Sequence, residues 1–425
     1  MKEPRKSPHS PPLWHPFTQH GLEPLMREIA SADGVWLMTP DGRRILDAIS
    51  SWWVVTHGHR HPKIIAAIKD QADQLDQVIF AGFTHKPAEI LARQLIKFVP
   101  AGLEHVFLSD SGSTAVEVAL KMALGYWRNI GAQRTRILAL EHAYHGDTIG
   151  TMSAGARGVF NSAYVPLLFD VGRIPFPVPG KEQTALDALE AACAQGGVAA
   201  LVVEPLVLGA GGMLMYGAGT LKEMYRICAK HGVLFIADEV MTGFGRTGTM
   251  FACEQAGISP DILCLAKGLT GGSLPLAATL CRNDIFAAHY SDDRAKTFFH
   301  SSSYTANPIC CAAAVANLEI WSSEPVLERV RLLTSAQARQ LELLAGDERF
   351  AKLRMTGTIA AFDLKVHDSG YLASAALMLR EKFLERGILL RPLGNTIYIM
   401  PPYCITPDEL DHVYDAVRAI AGGSD

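Results

Sequence analysis

Two short apolar runs, Val233–Ala237 and Ile262–Ala266, are each long enough for one buried strand, and each ends in a single ionisable residue, Asp238 and Lys267. A lone carboxylate and a lone amine at the ends of buried strands are costly unless something there uses them. In open α/β sheets, ligands occupy the crevice beyond the carboxyl ends of the strands, so the pattern places a ligand between these two residues. A desolvated lysine has a lowered pKa and is a nucleophile toward an aldehyde; the plainer alternative is a surface lysine just past a strand. A carboxylate such as Asp238 can keep a ring nitrogen protonated and turn a pyridinium ring into an electron sink, or it can cap a helix or pair with Arg246. Gly268, Gly271 and Gly272, just after the lysine, let backbone and ligand approach closely.

A phosphate seat completes the set. Ser111-Gly112-Ser113-Thr114 follows an expected strand, His105–Leu108, and opens an expected helix, Thr114–Trp127. Backbone N–H groups at such a junction bind anions, although serine there is also an ordinary N-cap. Placed in the same sheet as Asp238 and Lys267, the stretch reads better as a phosphate seat than as a cap alone. The combination describes pyridoxal 5′-phosphate better than a nicotinamide, because no G-x-G-x-x-G follows the first strand.

Other residues suit a substrate. Tyr144, in His142-Ala143-Tyr144-His145-Gly146-Asp147, can stack on a flat ring and turn its hydroxyl toward substrate, or simply pack its loop. Trp52 and Trp53 can wall a pocket for a long apolar molecule or fill the core. Arg391 interrupts an apolar run, where a guanidinium can grip a carboxylate bidentately or sit in a buried ion pair. The triplet His57-x-His59-x-His61 hints at a metal, but no Cys or acidic residue stands at a ligand spacing, so a hydrogen-bonded loop is the better reading.

The elements that must position these residues alternate. Strands at His105–Leu108, Arg136–Leu140, Ala199–Val203, Val233–Ala237 and Ile262–Ala266 are interleaved with helices, including Leu221–His231; Leu276–Leu280 reads as an antiparallel addition. This is an α/β pattern with a mostly parallel sheet flanked by helices. Before it come a helix at Pro62–Gln77, another at Pro87–Phe98, and two strands around the Pro40–Asp41–Gly42 turn. After a helix at Pro308–Trp321, a smaller α+β domain follows. It has helices at Val326–Leu344, Tyr371–Arg386 and from Pro407, and strands at Ile359–Leu364, Ile388–Pro392 and Thr396–Met400. Its sheet is expected to include the N-terminal hairpin. The division is an arm at 1–13, an N-terminal part of the small domain at 14–60, a large cofactor-binding domain at 61–320 and a C-terminal small domain at 321–425.

Composition excludes several classes. With 425 residues, 49% apolar and 19% charged, the chain can bury a large interior. A net charge of -4 argues against nucleic acid or an anionic membrane as partner. The eight cysteines are scattered with no C-x-x-C pair, which fits free thiols in a reducing cytoplasm and no metal. No secretory signal or membrane span is expected.

The stretches SSWWVVTHGHRHP, DSGSTAVEVALKMAL, HAYHGDT, EPLVLGAGGM, ADEVMTGFGRTG, PDILCLAKGLTGG and RPLGNTIYIMPPY resemble the class III (ω-amino) aminotransferases of pyridoxal-phosphate fold type I. Within that class the double tryptophan and RPLGNTIYIMPPY are similar to the branch of biotin synthesis that transfers an amino group from S-adenosylmethionine to 8-amino-7-oxononanoate. The resemblance implies a covalent cofactor link at Lys267, pairing of Asp238 with the ring nitrogen, and phosphate binding by Gly112 and Ser113. It further implies that Tyr144 stacks on the cofactor, that Phe17, Trp52, Trp53, Ser301 and Tyr398 line the substrate site, and that Arg391 holds the oxononanoate carboxylate. Ser302 and Ser303 match a segment that reaches the neighbour's cofactor phosphate, which implies a homodimer with shared sites. Two positions depart from the family pattern. Phe17 stands where a tyrosine is common, and Ser302–Ser303 replaces a common Pro-Thr. The first bears on the donor, since related enzymes use lysine. Alternatives are an ω-aminotransferase acting on ornithine, 4-aminobutyrate or β-alanine, and a cofactor-binding regulatory protein without turnover.

Overall fold

The computed structural model describes residues 12–22, 26–365 and 374–423; the arm expected at 1–13 lies almost wholly outside them. A seven-stranded sheet forms the centre, in the order Leu103–Ser109, Ala277–Arg282, Ile262–Leu265, Leu234–Asp238, Val198–Val203, Arg136–Leu140, Gly172–Ile174. Ala277–Arg282 runs antiparallel to both its neighbours, as expected of the Leu276–Leu280 run, and the strands from Ile262–Leu265 to Gly172–Ile174 pair in parallel. The sequence dictates this arrangement. Val198–Val203 and Leu234–Asp238 are buried at every position, so only a sheet covered on both faces can hold them.

One covering helix, Gly112–Asn129, starts two residues earlier than expected. Ser111 and Thr114 make a reciprocal capping box: the Thr114 N–H donates to Ser111 Oγ (3.2 Å) and the Ser111 N–H to Thr114 Oγ1 (2.9 Å). Gly112 and Ser113 therefore occupy its first turn. Ala115, Val118, Ala119 and Met122 form its buried stripe.

Among the described residues there are three further sheets, the smallest a two-stranded pair of Val207–Leu208 with Leu214–Met215. Phe350–Thr356, Ile359–Leu364 and Thr396–Ile399 form an antiparallel set. The N-terminal strands Ser31–Asp33, Trp36–Met38 and Arg44–Asp47 are joined by Ile388–Leu389, parallel to Arg44–Asp47, so the hairpin does share its sheet with the C-terminal part.

Several elements differ from expectation. The helix from Pro62 stops at Ala72, five residues short, where Asp73, Gln74, Asp76 and Gln77 replace the apolar spacing. Phe350–Thr356 was not legible as a strand because a register shift between Ala351 and Arg354 breaks its alternation, with Lys352 at φ 49°. Ile388–Pro392 shortens to Ile388–Leu389, since Pro392 has no N–H for a ladder. The helix expected at Tyr371–Arg386 is seen as Ser374–Glu385, with Tyr371 outside the described residues. No helix among the described residues is long and apolar enough to cross a membrane. All eight cysteines are free, and seven are buried.

Candidate active site

Five strand ends of the large sheet converge. Leu103–Ser109 leads into Gly112 and Ser113, Arg136–Leu140 into Tyr144 and His145, and Val198–Val203 into Glu204. Leu234–Asp238 ends on Asp238 itself, and Ile262–Leu265 leads to Lys267. Asp238 pairs in register with Cys264, three residues before Lys267, so carboxylate and amine leave adjacent strands at the same edge. A cavity of about 440 Å³ lies there, and Gly112, Ser113, Tyr144, Asp238, Lys267 and Trp53 all line it.

Lys267 sits at a strained position. Its φ of 43° is left-handed, and it opens a short turn, Lys267–Thr270, closed by Gly271 at φ 66°. Its Nζ lies 4.7 Å from the centre of the Trp53 ring. Burial pushes the amine down to about 8, while Asp238 and Glu204 pull it back up. About a tenth of such an amine is unprotonated at pH 7, far more than of an ordinary lysine, which suits a nucleophile.

Asp238 is held from two sides. Its Oδ1 accepts from the Val240 N–H (3.2 Å), and its Oδ2 lies 2.7 Å from His145 Nδ1. Both side chains are buried, and His145 Nε2 has no partner among the described residues. Arg246, the partner considered for Asp238 from sequence, points elsewhere. It donates to the carbonyls of Val55 (2.9 Å), Pro401 (3.1 Å) and Trp53 (3.4 Å). Glu204 was not singled out from the sequence, yet it anchors the wall. Its two oxygens accept from the N–H groups of Tyr144 and Gly209, each at 2.9 Å. Burial raises its carboxyl to about 7. The signal was present in the sequence, as a lone Glu at the end of an apolar strand.

At the anion end, the Asp147 N–H donates to Ser113 Oγ (3.1 Å). A Cβ on Gly112 would sit 2.6 Å from Val240 Cγ1, and one on Gly146 would sit 2.1 Å from Ser113 Oγ, so both glycines are needed for the close approach.

Most of the residues expected to face substrate form a cluster, although Phe17, Trp52 and Arg391 line neither cavity. Phe17 meets Trp52 edge-on at 5.5 Å and Phe160 at 5.9 Å, and Phe160 meets Tyr144 at 6.2 Å. Arg391 lies 5.0 Å over the Trp52 ring and donates from Nη2 to the Phe17 carbonyl (3.2 Å). A second cavity, of about 1210 Å³, opens beside the first and shares Tyr144 and Gly146 with it. Phe160, which lines it, was missed from sequence, since an aromatic in an irregular loop carries no periodicity. Tyr398 is buried and meets Trp53 edge-on at 5.9 Å, one layer behind the cavity wall. Ser301, Ser302 and Ser303 do not line the cavity of their own chain; the Ser303 carbonyl instead accepts from Gln77 Nε2 (2.7 Å). The double-tryptophan segment is rigidly pinned despite left-handed φ at Ser50, Ser51 and Trp53. Buried Asp47 accepts from the Ser51 N–H and hydroxyl, both at 2.8 Å, and His59 Nε2 lies 2.8 Å from it. The three histidines of the triplet thus serve separate partners: Asn317 for His57, Asp47 for His59 and Glu324 for His61.

These residues fit pyridoxal phosphate. The cavity has a depressed amine on one wall, a buried carboxylate reinforced by an imidazole, and the first turn of an eighteen-residue helix whose Gly112 lies close against Val240.

Comparison with known proteins agrees. A chain from Synechococcus elongatus named adenosylmethionine-8-amino-7-oxononanoate aminotransferase is 50% identical, over 96% of this chain and 98% of that one. A Geobacter sulfurreducens protein of the same name is 38% identical over 97% and 96% of the two chains. Among solved structures, the enzyme of that name from Methanocaldococcus jannaschii superposes with a TM-score of 0.91 at 36% identity, covering 96% of each chain. An amine transaminase from an uncultivated Pseudomonas species, in a PLP-bound form, gives a TM-score of 0.91 at 33% identity, covering 98% and 99%. With the class-III aminotransferase model matched across residues 17–421, the chain belongs to the class-III aminotransferases, enzymes that work with pyridoxal phosphate.

Proposed function

We propose that the chain transfers an amino group from S-adenosylmethionine to 8-amino-7-oxononanoate, giving 7,8-diaminononanoate, in two alternating half-reactions. Relatives up to 50% identical over nearly the whole chain carry that activity in their names. The observation in this chain that carries the substrate assignment is Arg391 stacked on Trp52, which joins through Phe17 to Phe160 in the wall of the larger cavity. A guanidinium over an apolar wall suits a carboxylate at the end of a long aliphatic chain. The adjoining cavity of about 1210 Å³ is large enough for either substrate.

When bound, pyridoxal phosphate supplies an aldehyde that takes up the amino group and a ring that stores the electron pair released at the substrate carbon. The chain's residues do the rest. Lys267 would hold the cofactor, and its free Nζ would take and return the substrate proton, a role suited to an amine at about 8. Asp238 would keep the ring nitrogen protonated, and Gly112 and Ser113 would hold the phosphate. Tyr144 would stack on the ring and face substrate. Trp52, Trp53 and Phe17 exclude water around the acceptor's chain, Tyr398 backs Trp53, and Arg391 fixes the carboxylate.

In this reading Ser301, Ser302 and Ser303 serve a neighbouring protomer's site within a cytoplasmic homodimer, in keeping with their distance from the cavity of their own chain. Lysine as donor to the same acceptor is the second reading, favoured by one observation: Phe17 offers no hydroxyl to a bound donor. A donor panel decides, S-adenosylmethionine against lysine with 8-amino-7-oxononanoate as acceptor. No product with either donor, and turnover only with other amines or ketones, overturns the assignment.

A further inference from the structure

The geometry points to His57 and Asn317 as positioning residues that hold the Lys267 turn in its reactive conformation. The inference rests on the reading of Lys267 as the cofactor-bearing amine. Asn317 lies in the middle of the apolar helix Pro308–Ser323 and is fully buried. An amide there is costly unless its bonds are made. Its Nδ2 donates to the carbonyls of Gly268 (3.1 Å) and Leu269 (3.0 Å), the two residues that follow Lys267. Both amide hydrogens are thereby used, so Oδ1 is an acceptor, and it lies 2.8 Å from His57 Nε2.

That assignment fixes the histidine. His57 Nε2 must carry the hydrogen, which leaves Nδ1 bare, and Nδ1 is buried with no partner among the described residues. Burial holds the imidazole far down, at about 3, so it stays a neutral Nε2–H donor across the working range. The rings of His61, Trp321 and Tyr403 pack around it. The neighbouring Thr56 N–H donates to the Gly271 carbonyl (3.4 Å), and a Cβ on Gly271 would sit 2.5 Å from Ile64 Cδ1 and 3.3 Å from Asn317 Oδ1. The turn is thus gripped from the loop that carries the histidines and from the helix beneath. It needs that grip because Lys267 is a non-glycine residue at left-handed φ. Freed of it, the backbone relaxes and carries Nζ away from the cavity.

The test uses the full chain loaded with pyridoxal phosphate and three variants: Asn317→Ala, His57→Ala and His57→Gln. Asn317→Ala should lower kcat by about 10- to 100-fold, with KM within about threefold, as expected of a misplaced reacting group. It should also move the pH midpoint of the bound cofactor's absorbance, a readout that general loosening of the fold leaves alone. His57→Ala should move both in the same direction. His57→Gln, whose amide can donate from near the Nε2 position, should restore them. Wild-type kcat and midpoint in Asn317→Ala, or equal losses in His57→Ala and His57→Gln, overturn the inference. If an alanine variant does not fold, ¹⁵N NMR of the unaltered enzyme decides: the His57 proton on Nε2 supports the network, and on Nδ1 overturns it. Borohydride trapping separates the two readings. An adduct on Lys267 with unmoved variants overturns only the network, and no adduct on Lys267 overturns the Lys267 reading itself.

Discussion

His145 Nδ1 lies 2.7 Å from Asp238 Oδ2, with both side chains buried at the floor of the cavity. The imidazole takes one oxygen of the carboxylate and the Val240 N–H takes the other, so the acid is oriented before any ligand arrives.

Replacing Asp238 by Asn should therefore cost about 10²- to 10³-fold in kcat, because the ring nitrogen loses its charged partner. His145→Ala leaves the carboxylate with its backbone donor alone and should cost less, about 10-fold, the scale of one hydrogen bond to a charged group. Equal losses would mean that His145 does more than orient Asp238. Steady-state kinetics at saturating cofactor checks both.

Lys267 predicts a pH dependence. Its folded value of about 8 lies below the ordinary 10.5, so the folded chain binds fewer protons than the unfolded one between these values. Stability from this group rises as pH goes from about 8 to 10.5, and its cost is fully present below 8. Lys267→Met should thus raise the stability of the cofactor-free chain at pH 7 by about 1–3 kcal/mol, read by denaturant unfolding, while abolishing turnover. In the unaltered chain, the rate of cofactor capture should climb with pH and level off above about 8.

Arg391→Ala should raise KM for 8-amino-7-oxononanoate by about 10- to 100-fold and change kcat little, the scale of a lost charged hydrogen bond. Arg391→Lys should recover little, since an ammonium cannot reproduce the planar contact with Trp52. Full recovery in the lysine variant would reduce the role of Arg391 to charge alone.

Phe17→Tyr places a hydroxyl beside Trp52 and Phe160. It should favour S-adenosylmethionine over lysine in kcat/KM by about 3- to 10-fold, the scale of one added hydrogen bond. An unchanged donor ratio removes Phe17 from the account of donor choice.

The chemistry-bearing positions were legible because each breaks a pattern. Asp238 and Lys267 end apolar runs, Ser111 to Thr114 interrupts strand and helix, and Arg391 stands in an apolar stretch. Local periodicity also gave the strands Arg136–Leu140 and Ile359–Leu364 and the helix Val326–Leu344 to the residue, and the antiparallel run near Leu276–Leu280. Phe350–Thr356 escaped because its irregular register erased the alternation that marks a strand.

Residue type and local spacing by themselves determined the parallel-sheet architecture and where the lone amine and carboxylate leave it, since strand periodicity and a lone charge on an apolar run are local properties. Tertiary structure alone decided the partners. His145 lies 93 positions from the Asp238 it steadies, and Asn317 sits 260 positions from His57 and 49 from the Gly268 carbonyl. Which distant groups a buried polar atom meets depends on how elements pack across the whole chain. Each such atom must still find a partner, but no local spacing encodes which one.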